Sequence, residues 1–527
     1  MINTLRSLAP EALKDFTEQL KLRVVGAVKD KIPHLEASLA VAELSVALHY
    51  LLQTPEDVLI WDVSHQAYVH KALTGRLDQL STQRTAGGIS GFTKREESPY
   101  DFFGAGHAST SISALAGVCL SDALQGKTRR RVAVIGDGSL SGGLSFEGLN
   151  HLGQLGHDCL VIINDNNGSI DPTQGALHGR GAYEDYVGAL GWNYVREDRG
   201  NDVLALVEAL SAALEREGPQ VLHIRTQRPN LEPPKRYTPG TTFQWWAAQT
   251  MQRLFDQDET LCLLSPAMLS GGGFSTLARQ FPRRVIDTGI NEGHCVAMAA
   301  GMAAAGGRPW VHIYSTFLQR AYDQVVHDVA LQSLPVVFLV DRAGLVGADG
   351  PTHHGVFDLG FLMDIPGLTV WNPKDGDELA GMLECAAKEP LAGPLAIRYP
   401  KSTTVFEQPQ PFEPWRFVRH WGSNTVLVST GALSAHQGDL GIDHIHVAQT
   451  APLDARFLAE LKRYEQVLVF EETTGHGGLT GALHEALCNM DRVVKMVVRK
   501  LPMDFVAHGS RSELLRQYGL IPRQKEL

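Results

Sequence analysis

The chain has 527 residues, of which 44% are hydrophobic and 20% charged, values that are ordinary for a globular protein with large buried cores. Its formal net charge of -11 disfavours nucleic acid or an anionic membrane as the main partner. No apolar run is long enough to span a bilayer, the N-terminus has no apolar signal core, and the six cysteines are scattered, so we expect a cytoplasmic protein without a disulfide framework or zinc site.

Short β-branched runs alternate with helical patterns along the chain. A strand that is covered on both faces is nearly continuous in apolar residues. This pattern predicts strands at 132–135, 160–163, 221–224, 311–314, 336–340, 426–428 and 467–470. Apolar residues at helical spacing from Val203 to Leu214 predict a helix that ends near Gly218. Alternation on this scale predicts an α/β protein with doubly wound parallel sheets.

Two proline-rich stretches divide the chain, one at 227–242 and one at 401–415. Proline cannot continue a helix or a central strand, so both stretches read as linkers. We therefore expect a first domain at 1–230, a short linker at 231–242, a second domain at 243–400 and a third at 415–527. The third domain should be smaller and contain a mixed sheet.

Two motifs each follow a predicted strand directly: GDG at Gly136 to Gly138, and NDNN beginning at residue 164. One strand–helix–strand crossover separates them, which puts both at the carboxyl ends of neighbouring parallel strands, where open α/β sheets bind ligands. Mg²⁺ prefers oxygen ligands, and Asp137, Asn166 and a backbone carbonyl near Gly168 offer three. GDG alone is also ordinary turn chemistry, but the pair is similar to the motif of thiamine-diphosphate enzymes.

Glu292 follows a predicted strand end at Val285 and Ile286 and opens a helix rich in alanine and glycine. Thiamine diphosphate needs a carboxyl group at a nitrogen of its aminopyrimidine ring, because that contact promotes the tautomer that removes the reactive proton of the cofactor. Phe317 can stack on the same ring. An acidic residue in the first turn of a helix is also a common cap, so the assignment of Glu292 depends on the segment around it.

From about His34 onward, the chain resembles the 1-deoxy-D-xylulose-5-phosphate synthase family of transketolase-like enzymes. The most specific segments are YSTFLQRAYDQ at 314–324 and DRAGLVGADGPTHHG at 341–355, and IRYPKS, VFEETTGHGG and LPMDF also fit. The resemblance implies a homodimeric transferase that condenses pyruvate with glyceraldehyde 3-phosphate, with loss of CO₂, using thiamine diphosphate and Mg²⁺. The product of that family feeds the synthesis of isoprenoid precursors, thiamine and pyridoxal phosphate. The first domain would then bind diphosphate and metal, the second the aminopyrimidine, and the third would support the dimer.

The resemblance also implies roles for individual residues. Cofactor contacts would come from His65, Gly106, His107, Ala108, Gly136, Gly138, Ser139, Asn166, Glu292 and Phe317. The metal ligands would be Asp137, Asn166 and the carbonyl of Gly168, and the catalytic groups Glu292, His34 and His353. The substrates would meet Tyr314, Arg320, Arg342, Asp349, His353 and Arg398, a set in which the arginines suit phosphate oxygens. A lone histidine or arginine on such loops is more often a surface residue, so these roles depend on the family pattern.

The chain also departs from the family pattern. Residues 169–192 form a short segment where the family has a long insertion. Just before it, Asn167 and Gly168 stand where the family usually has an acidic residue and a methionine. The shortened linker offers no obvious counterpart of the basic residue and histidine that the family places near the site. Three interpretations stay open: a compact synthase of low activity, a carboligase with a different donor or phosphorylated aldehyde acceptor, and a degenerate paralogue that binds the cofactor without turnover. Retention of Asp137, Asn166 and Glu292 argues against the last.

Overall fold

The computed structural model of the chain describes residues 1–28, 34–166, 172–180, 182–229, 239–490 and 493–521. The chain divides into unit 1, Met1–Arg236 with Gly289–Asn291, and unit 2, Tyr237–Thr288 with Glu292–Leu527. Most of the predicted linker at 231–242 and the predicted ligand Gly168 lie outside the described residues, and the three domain boundaries stay a prediction. Within the described ranges, every helix is too short or too polar to cross a membrane. All six cysteines are free.

Unit 1 is built on a five-stranded parallel sheet in the order β1-β2-β3-β5-β4. Its strands are β1 (Val58–Trp61), β2 (Arg131–Gly136), β3 (Cys159–Asp165), β4 (Asn193–Glu197) and β5 (Pro219–Arg225). Side chains of a strand alternate between the two faces. Leu160 and Ile162 therefore pack in one apolar cluster, and Val161 and Ile163 in another on the opposite face. This burial on both faces explains the continuous apolar runs and confirms the predicted doubly wound sheet.

Helices of unit 1 cover both faces of this sheet. They are α1 (Ile2–Arg6), α2 (Leu13–Val28), α3 (Leu35–Ala40), α4 (Ala42–Leu51), α5 (Tyr68–Lys71), α6 (Ser111–Gln125), α7 (Asp137–Leu140), α8 (Gly143–Leu155), α9 (Ala176–Arg180), α10 (Tyr183–Ala189) and α11 (Val203–Leu214). The predicted helix at 203–214 is α11, and the Asp202 side chain caps it by accepting the backbone N–H groups of Leu204 and Ala205. The helix that follows GDG is a single turn, α7, and the long helix α8 begins only at Gly143.

Unit 2 contains two sheets. Its strands are β6 (Leu261–Ser265), β7 (Val285–Asp287), β8 (Arg308–Tyr314), β9 (Val337–Asp341), β10 (Thr369–Trp371), β11 (Leu395–Tyr399), β12 (Trp415–Arg419), β13 (Thr425–Ser429), β14 (Asp443–Val447), β15 (Gln449–Ala451), β16 (Gln466–Glu471) and β17 (Lys495–Lys500). The first sheet has the order β15-β10-β11-β9-β8-β6-β7 and is parallel except for β15, which pairs antiparallel with β10. That edge strand belongs to the predicted third domain, whereas the strands of the predicted second domain, β6 to β11, pair in parallel as expected.

The second sheet of unit 2 has the order β12-β14-β13-β16-β17. Strand β12 is antiparallel to β14, and the other pairs are parallel, which is the mixed sheet that was predicted. The helices of unit 2 are α12 (Phe243–Gln257), α13 (Ser275–Gln280), α14 (Glu292–Ala304), α15 (Ser315–Leu318), α16 (Asp358–Met363), α17 (Gly376–Lys388), α18 (Ala455–Leu461), α19 (Gly478–Cys488) and α20 (Arg511–Gln517). Short 3-10 or π-helical turns lie at 10–12, 72–76, 77–82, 319–321, 324–330, 350–352 and 431–436.

A buried contact between a histidine and a carboxylate joins α17 to the mixed sheet. The Nε2 atom of His446 on β14 lies 2.9 Å from the Oε2 atom of Glu378, and both side chains are buried. Burial alone would raise the pKa of Glu378, but the imidazole of His446 and the ammonium of Lys374 lower it to about 2. Acid should therefore weaken this contact, because protonation of Glu378 removes its charge.

Candidate active site

The carboxyl ends of β2 and β3 bring the two sequence motifs to one edge of the sheet. Gly136 pairs with Asn164, so Asp137 and Asp165 follow at matching positions. Both aspartates are buried, and Asp137 Oδ2 accepts a hydrogen bond of 2.9 Å from the hydroxyl of Thr173. The predicted ligands Asp137 and Asn166 thus lie on neighbouring strand ends, as the spacing indicated.

Two histidines flank these carboxylates. Nδ1 of His178 lies 3.9 Å from Asp137 Oδ2, and one ligand atom each of Asp137, Asp165 and His178 lies within 4.8 Å of the others. On the other side, Nε2 of His223 donates to Asp165 Oδ2 over 3.0 Å, and its Nδ1 lies 2.7 Å from the hydroxyl of Tyr194. Sequence reasoning missed Asp165, His178 and His223, although Asp165 stands inside the NDN motif.

Electrostatics at this edge disfavour two bare carboxylates. Burial raises the pKa of Asp137, and the neighbouring Asp165 carboxylate raises it further, while the hydrogen bond from Thr173 lowers it. A cation placed between the carboxylates would relieve this repulsion. The edge is therefore suited to a divalent metal ion.

A second group of residues in unit 1 combines histidines with an arginine. The rings of His34 and His65 meet edge to face with centroids 5.3 Å apart. Burial lowers the pKa of His65 well below its usual range, and the charges of His34 and Arg228 lower it further. Nδ1 of His65 is buried and has no hydrogen-bond partner among the described residues. Such an orphaned ring nitrogen is expected where a polar ligand completes the site.

Arg228 stands in the linker region where the sequence offered no counterpart of the family's basic residue. Its Nη2 atom donates to Asn166 Oδ1 over 2.9 Å. Burial lowers the pKa of Arg228, and the carboxylates of Asp137 and Glu36 act in the opposite direction. Arg228 could have been predicted from its position, because it lies only three residues after the carboxyl end of β5, at the sheet edge where ligands bind.

The predicted diphosphate loop, Gly106 to Ala108, is held by a buried aspartate that the sequence analysis did not single out. Asp62 follows β1, and its two carboxylate oxygens accept the backbone N–H groups of Ser109 (2.9 Å) and Ser111 (3.0 Å). Ser109 has a left-handed backbone (φ 72°), which residues other than glycine adopt only when their surroundings hold them. Its hydroxyl also donates to the carbonyl of Ser139 over 2.6 Å. Asp62 and Ser109 thereby tie the loop to the turn that carries Asp137.

In unit 2, Glu292 is the first residue of α14 and is buried. Burial raises the pKa of Glu292, and the charge of Arg320, whose Nη1 lies 4.0 Å from the carboxylate, opposes that shift. A carboxyl group with a raised pKa keeps its proton to higher pH and can donate it in a hydrogen bond. Arg320, expected to face substrate phosphate, is thus also a neighbour of the predicted catalytic acid.

Four predicted site residues form a continuous row in unit 2. The guanidinium of Arg342 lies 3.6 Å from the centroid of the Tyr314 ring, and Tyr314 stacks on Phe317 with centroids 5.5 Å apart. Phe317 in turn meets the ring of His353 edge to face at 5.6 Å. A side chain at Gly271 would put its Cβ only 1.9 Å from the Tyr314 hydroxyl, so glycine is required for this close approach. The row combines a cation, two aromatic rings and an imidazole.

A buried network orients the arginine of this row. Arg342 Nη1 is ion-paired with Asp341, and its Nη2 donates to the carbonyl of Gly271 over 3.0 Å. Asp341 also accepts from Gln244 Nε2 (2.6 Å) and lies 3.3 Å from His312 Nε2. Sequence reasoning missed this support, which joins residues up to about a hundred positions apart in the chain.

The remaining predicted substrate contacts have partners of their own. Arg398 is buried and donates through Nε to Asp358 Oδ2 (2.8 Å) and through Nη1 to Asn372 Oδ1 (3.0 Å). Asp349 accepts from the ammonium of Lys401 over 3.3 Å. The structure therefore joins Tyr314, Arg342, Phe317 and His353 through direct contacts, whereas Arg320, Arg398 and Asp349 are described with other partners. Their roles toward substrate stay predictions.

Known proteins of one family are similar to this chain along nearly its whole length. The family model described as 1-deoxy-D-xylulose-5-phosphate synthase matches residues 1–182, and that of the transketolase pyrimidine binding domain matches 242–405. A 1-deoxy-D-xylulose-5-phosphate synthase of Magnetococcus marinus is 38% identical over 98% of this chain and 96% of its own length. One of Syntrophomonas wolfei is 38% identical over 99% and 94%. A Campylobacter jejuni transketolase structure aligns over 98% of both chains at 14% identity and TM-score 0.47, which is too low to support a conclusion.

Proposed function

The chain belongs to the 1-deoxy-D-xylulose-5-phosphate synthase family, and we propose that it condenses pyruvate with glyceraldehyde 3-phosphate to 1-deoxy-D-xylulose 5-phosphate and CO₂. The observation that carries this proposal is the 38% identity over 98% of the chain and 96% of the relative. The enzyme is then a transferase that depends on thiamine diphosphate and Mg²⁺. Its product would enter isoprenoid and thiamine biosynthesis.

Thiamine diphosphate, when bound, supplies the carbanion chemistry of the reaction, and the protein supplies binding, orientation and proton control. In unit 1, the diphosphate would be held by the loop at 106–108 with His65, and the metal by Asp137 and Asn166. The donor set fits: carboxylate and amide oxygens suit Mg²⁺, and the buried Nδ1 of His65 has no partner among the described residues. Ser139 would fix the turn after Asp137 through its carbonyl.

Arg228 would replace the basic residue that the family places near the site, and would contact the diphosphate. This role is supported by its contact with Asn166 and by its proximity to the carboxylate of Asp137. A guanidinium offers planar pairs of N–H donors that match phosphate oxygens. In this proposal, Arg228 supplies the positive charge for the diphosphate although the linker is short.

Glu292 would donate a hydrogen bond to the aminopyrimidine ring nitrogen and so control the protonation of the cofactor. Its burial and raised pKa support this role, because a protonated carboxyl group is the required donor. Phe317, which stacks on Tyr314 and meets His353 edge to face, would offer an aromatic face in the same unit. His34 and His353 are proposed to move protons to and from the substrates.

The phosphate and hydroxyl groups of the acceptor would be bound by Tyr314, Arg320, Arg342, Asp349 and Arg398. The strongest support is for Arg342, because Asp341, Gly271 and the Tyr314 ring hold its guanidinium in one orientation. An arginine fixed in this way binds phosphate with less loss of conformational entropy. Arg398 is similarly held by Asp358 and Asn372.

A homodimer and a cytoplasmic location complete the proposal. Met503 and Phe505 are exposed by 71% and 76%, and the ring of Phe505 lies 6.3 Å from that of Phe357. Such exposed apolar groups are typical of a surface that another chain covers. Six free cysteines suit the reducing cytoplasm. Neither nucleic acid nor a membrane is proposed as a partner.

The proposal is tested by pyruvate consumption with Mg²⁺ and thiamine diphosphate, measured with and without glyceraldehyde 3-phosphate, with the product identified by mass. Acceptor-dependent consumption that yields 1-deoxy-D-xylulose 5-phosphate is expected. Pyruvate loss without that product would instead indicate a carboligase with a different acceptor. No consumption, with thiamine diphosphate bound, would leave a different donor or a degenerate paralogue.

A further inference from the structure

The shortened segment between β3 and α10 contributes two side chains to the metal edge of unit 1. Thr173 donates to Asp137 Oδ2 over 2.9 Å, and Nδ1 of His178, on α9, lies 3.9 Å from the same oxygen. His178 is thus close enough to share a bound ion with Asp137 and Asp165, since the three ligand atoms lie within 4.8 Å of one another. The donor set implied by the family resemblance, by contrast, contains only oxygen atoms.

Each member of this cluster is already oriented by a further partner. His223 donates to Asp165 over 3.0 Å and is itself held by the Tyr194 hydroxyl at 2.7 Å. The Tyr183 hydroxyl lies 3.1 Å from Nδ1 of His178. The contact from His223 orients the Asp165 carboxylate, as outer contacts do in metal sites. The Tyr183 hydroxyl meets the same nitrogen of His178 that faces Asp137, so a bound ion would replace that hydrogen bond.

Asn166, the other proposed ligand at this edge, also has a hydrogen-bond partner. Oδ1 of Asn166 accepts a hydrogen bond of 2.9 Å from the guanidinium of Arg228. An amide oxygen has two lone pairs, so one hydrogen bond leaves the second for a metal ion. Asp165 and His178 therefore add to Asp137 and Asn166 as possible protein donors at this edge.

We propose that His178 is a nitrogen ligand of the active-site metal in this chain, and that it shifts the preference of the site from Mg²⁺ toward a divalent first-row transition metal such as Mn²⁺. Mg²⁺ takes oxygen ligands and tolerates nitrogen poorly, whereas imidazole binds transition metals well. This inference rests on the proposed function only in placing the metal at Asp137. It assigns a role to a segment in which the chain departs from its family.

The test uses the purified full-length protein, freed of metal and titrated with Mn²⁺ or Mg²⁺ alone and again with thiamine diphosphate. The dissociation constant of Mn²⁺ is read from the electron paramagnetic resonance signal of the free ion, and ligation by histidine from the nitrogen coupling in pulsed spectra. Wild type should show histidine nitrogen coupling. His178→Gln should lose it and bind Mn²⁺ at least about tenfold more weakly, with a much smaller change for Mg²⁺.

His151→Gln is the matched control, because His151 is an exposed histidine in the same unit. It should keep both the nitrogen coupling and the Mn²⁺ affinity. His178→Asp, which restores a ligand but with oxygen, should lose the coupling and bind Mg²⁺ more tightly than His178→Gln does. Circular dichroism of each variant establishes that the fold is retained.

Two results would overturn the inference: wild type without nitrogen coupling, or coupling that persists in His178→Gln. Product formation is measured separately on wild type with Mg²⁺ and with Mn²⁺. A wild-type enzyme that makes 1-deoxy-D-xylulose 5-phosphate without nitrogen coupling removes the inference and leaves the proposed function intact. Nitrogen coupling at His178 without product would establish the ligand and overturn the proposed reaction.

Discussion

Replacement of Asp62 by asparagine should release the loop at 106–109 without changing the shape of the side chain. The two carboxylate oxygens of Asp62 each accept one backbone N–H, from Ser109 and from Ser111. Asparagine keeps only one acceptor and turns an N–H₂ group toward the other N–H donor. One hydrogen bond to a charged group is lost, and a buried donor is left without a partner.

The expected cost follows from the contacts. A buried hydrogen bond to a charged group contributes about 2–3 kcal/mol, which corresponds to about 30- to 150-fold in a local opening equilibrium. The backbone amides of Ser109 and Ser111 should exchange with deuterium faster by this factor. Hydrogen–deuterium exchange with mass spectrometry on the peptide around 104–116, with fragmentation to single residues, measures it.

Asp202→Asn provides a matched control in the same unit. Asp202 also accepts two backbone N–H groups, from Leu204 and Ala205, but it does so at an exposed helix N-terminus where asparagine caps equally well. This variant should leave exchange at Ser109 and Ser111 unchanged. Equal exchange rates in wild type and Asp62→Asn would refute the argument that the buried carboxylate holds the loop. If the loop binds diphosphate as proposed, the dissociation constant of thiamine diphosphate should also rise in Asp62→Asn.

Three further predictions follow from the site and the ion pairs. Glu292→Gln should lower turnover of pyruvate by at least about 100-fold with little loss of cofactor affinity, because an amide cannot control the proton on the aminopyrimidine ring. Replacement of the exposed Glu389 by glutamine should retain full turnover in the same assay of pyruvate consumption. Arg228→Gln should raise the dissociation constant of thiamine diphosphate by about tenfold in calorimetry, because one charged contact is lost. Replacement of the exposed Arg216 by glutamine should leave that constant unchanged. Equal affinities of wild type and Arg228→Gln for thiamine diphosphate would contradict the role of Arg228. The pKa of Glu378 is about 2 in the folded protein, below its unfolded value. Its charge therefore adds about 3 kcal/mol to the free energy of unfolding above pH 4.5, and this contribution is lost as the pH falls toward 2. Unit 2 of Glu378→Gln should therefore unfold more readily than wild type near pH 7, with the difference vanishing near pH 2 in urea titrations followed by near-ultraviolet circular dichroism.

Local patterns in the sequence predicted seven of the strands, helix α11 and part of the site. Continuous apolar runs predicted the strands because both faces of a buried parallel strand must be apolar, and β2, β3 and β5 contain the predicted segments. The GDG and NDN motifs were placed at one sheet edge because parallel strands joined by a single crossover end on the same side. The family resemblance then added roles that no periodicity contains.

Other features depend on residues far apart in the chain. Asp62 reaches Ser109 across 47 positions, and Arg228 reaches Asn166 across 62. Helical and strand periodicities report only on neighbours within about four positions, so no such pattern predicts these contacts. Strand β15 was missed for the same reason, because it is only three residues long and its pairing partner lies some eighty positions earlier.

The amino-acid sequence by itself predicted seven strands and helix α11, the family of the chain, and Asp137, Asn166 and Glu292 as candidate groups. Only the tertiary structure decided that His178 lies near Asp137 and that Arg228 donates a hydrogen bond to Asn166. The physical reason is that hydrophobic patterning is local, whereas the environment of a polar side chain is set by whichever distant segments the packed sheet brings beside it.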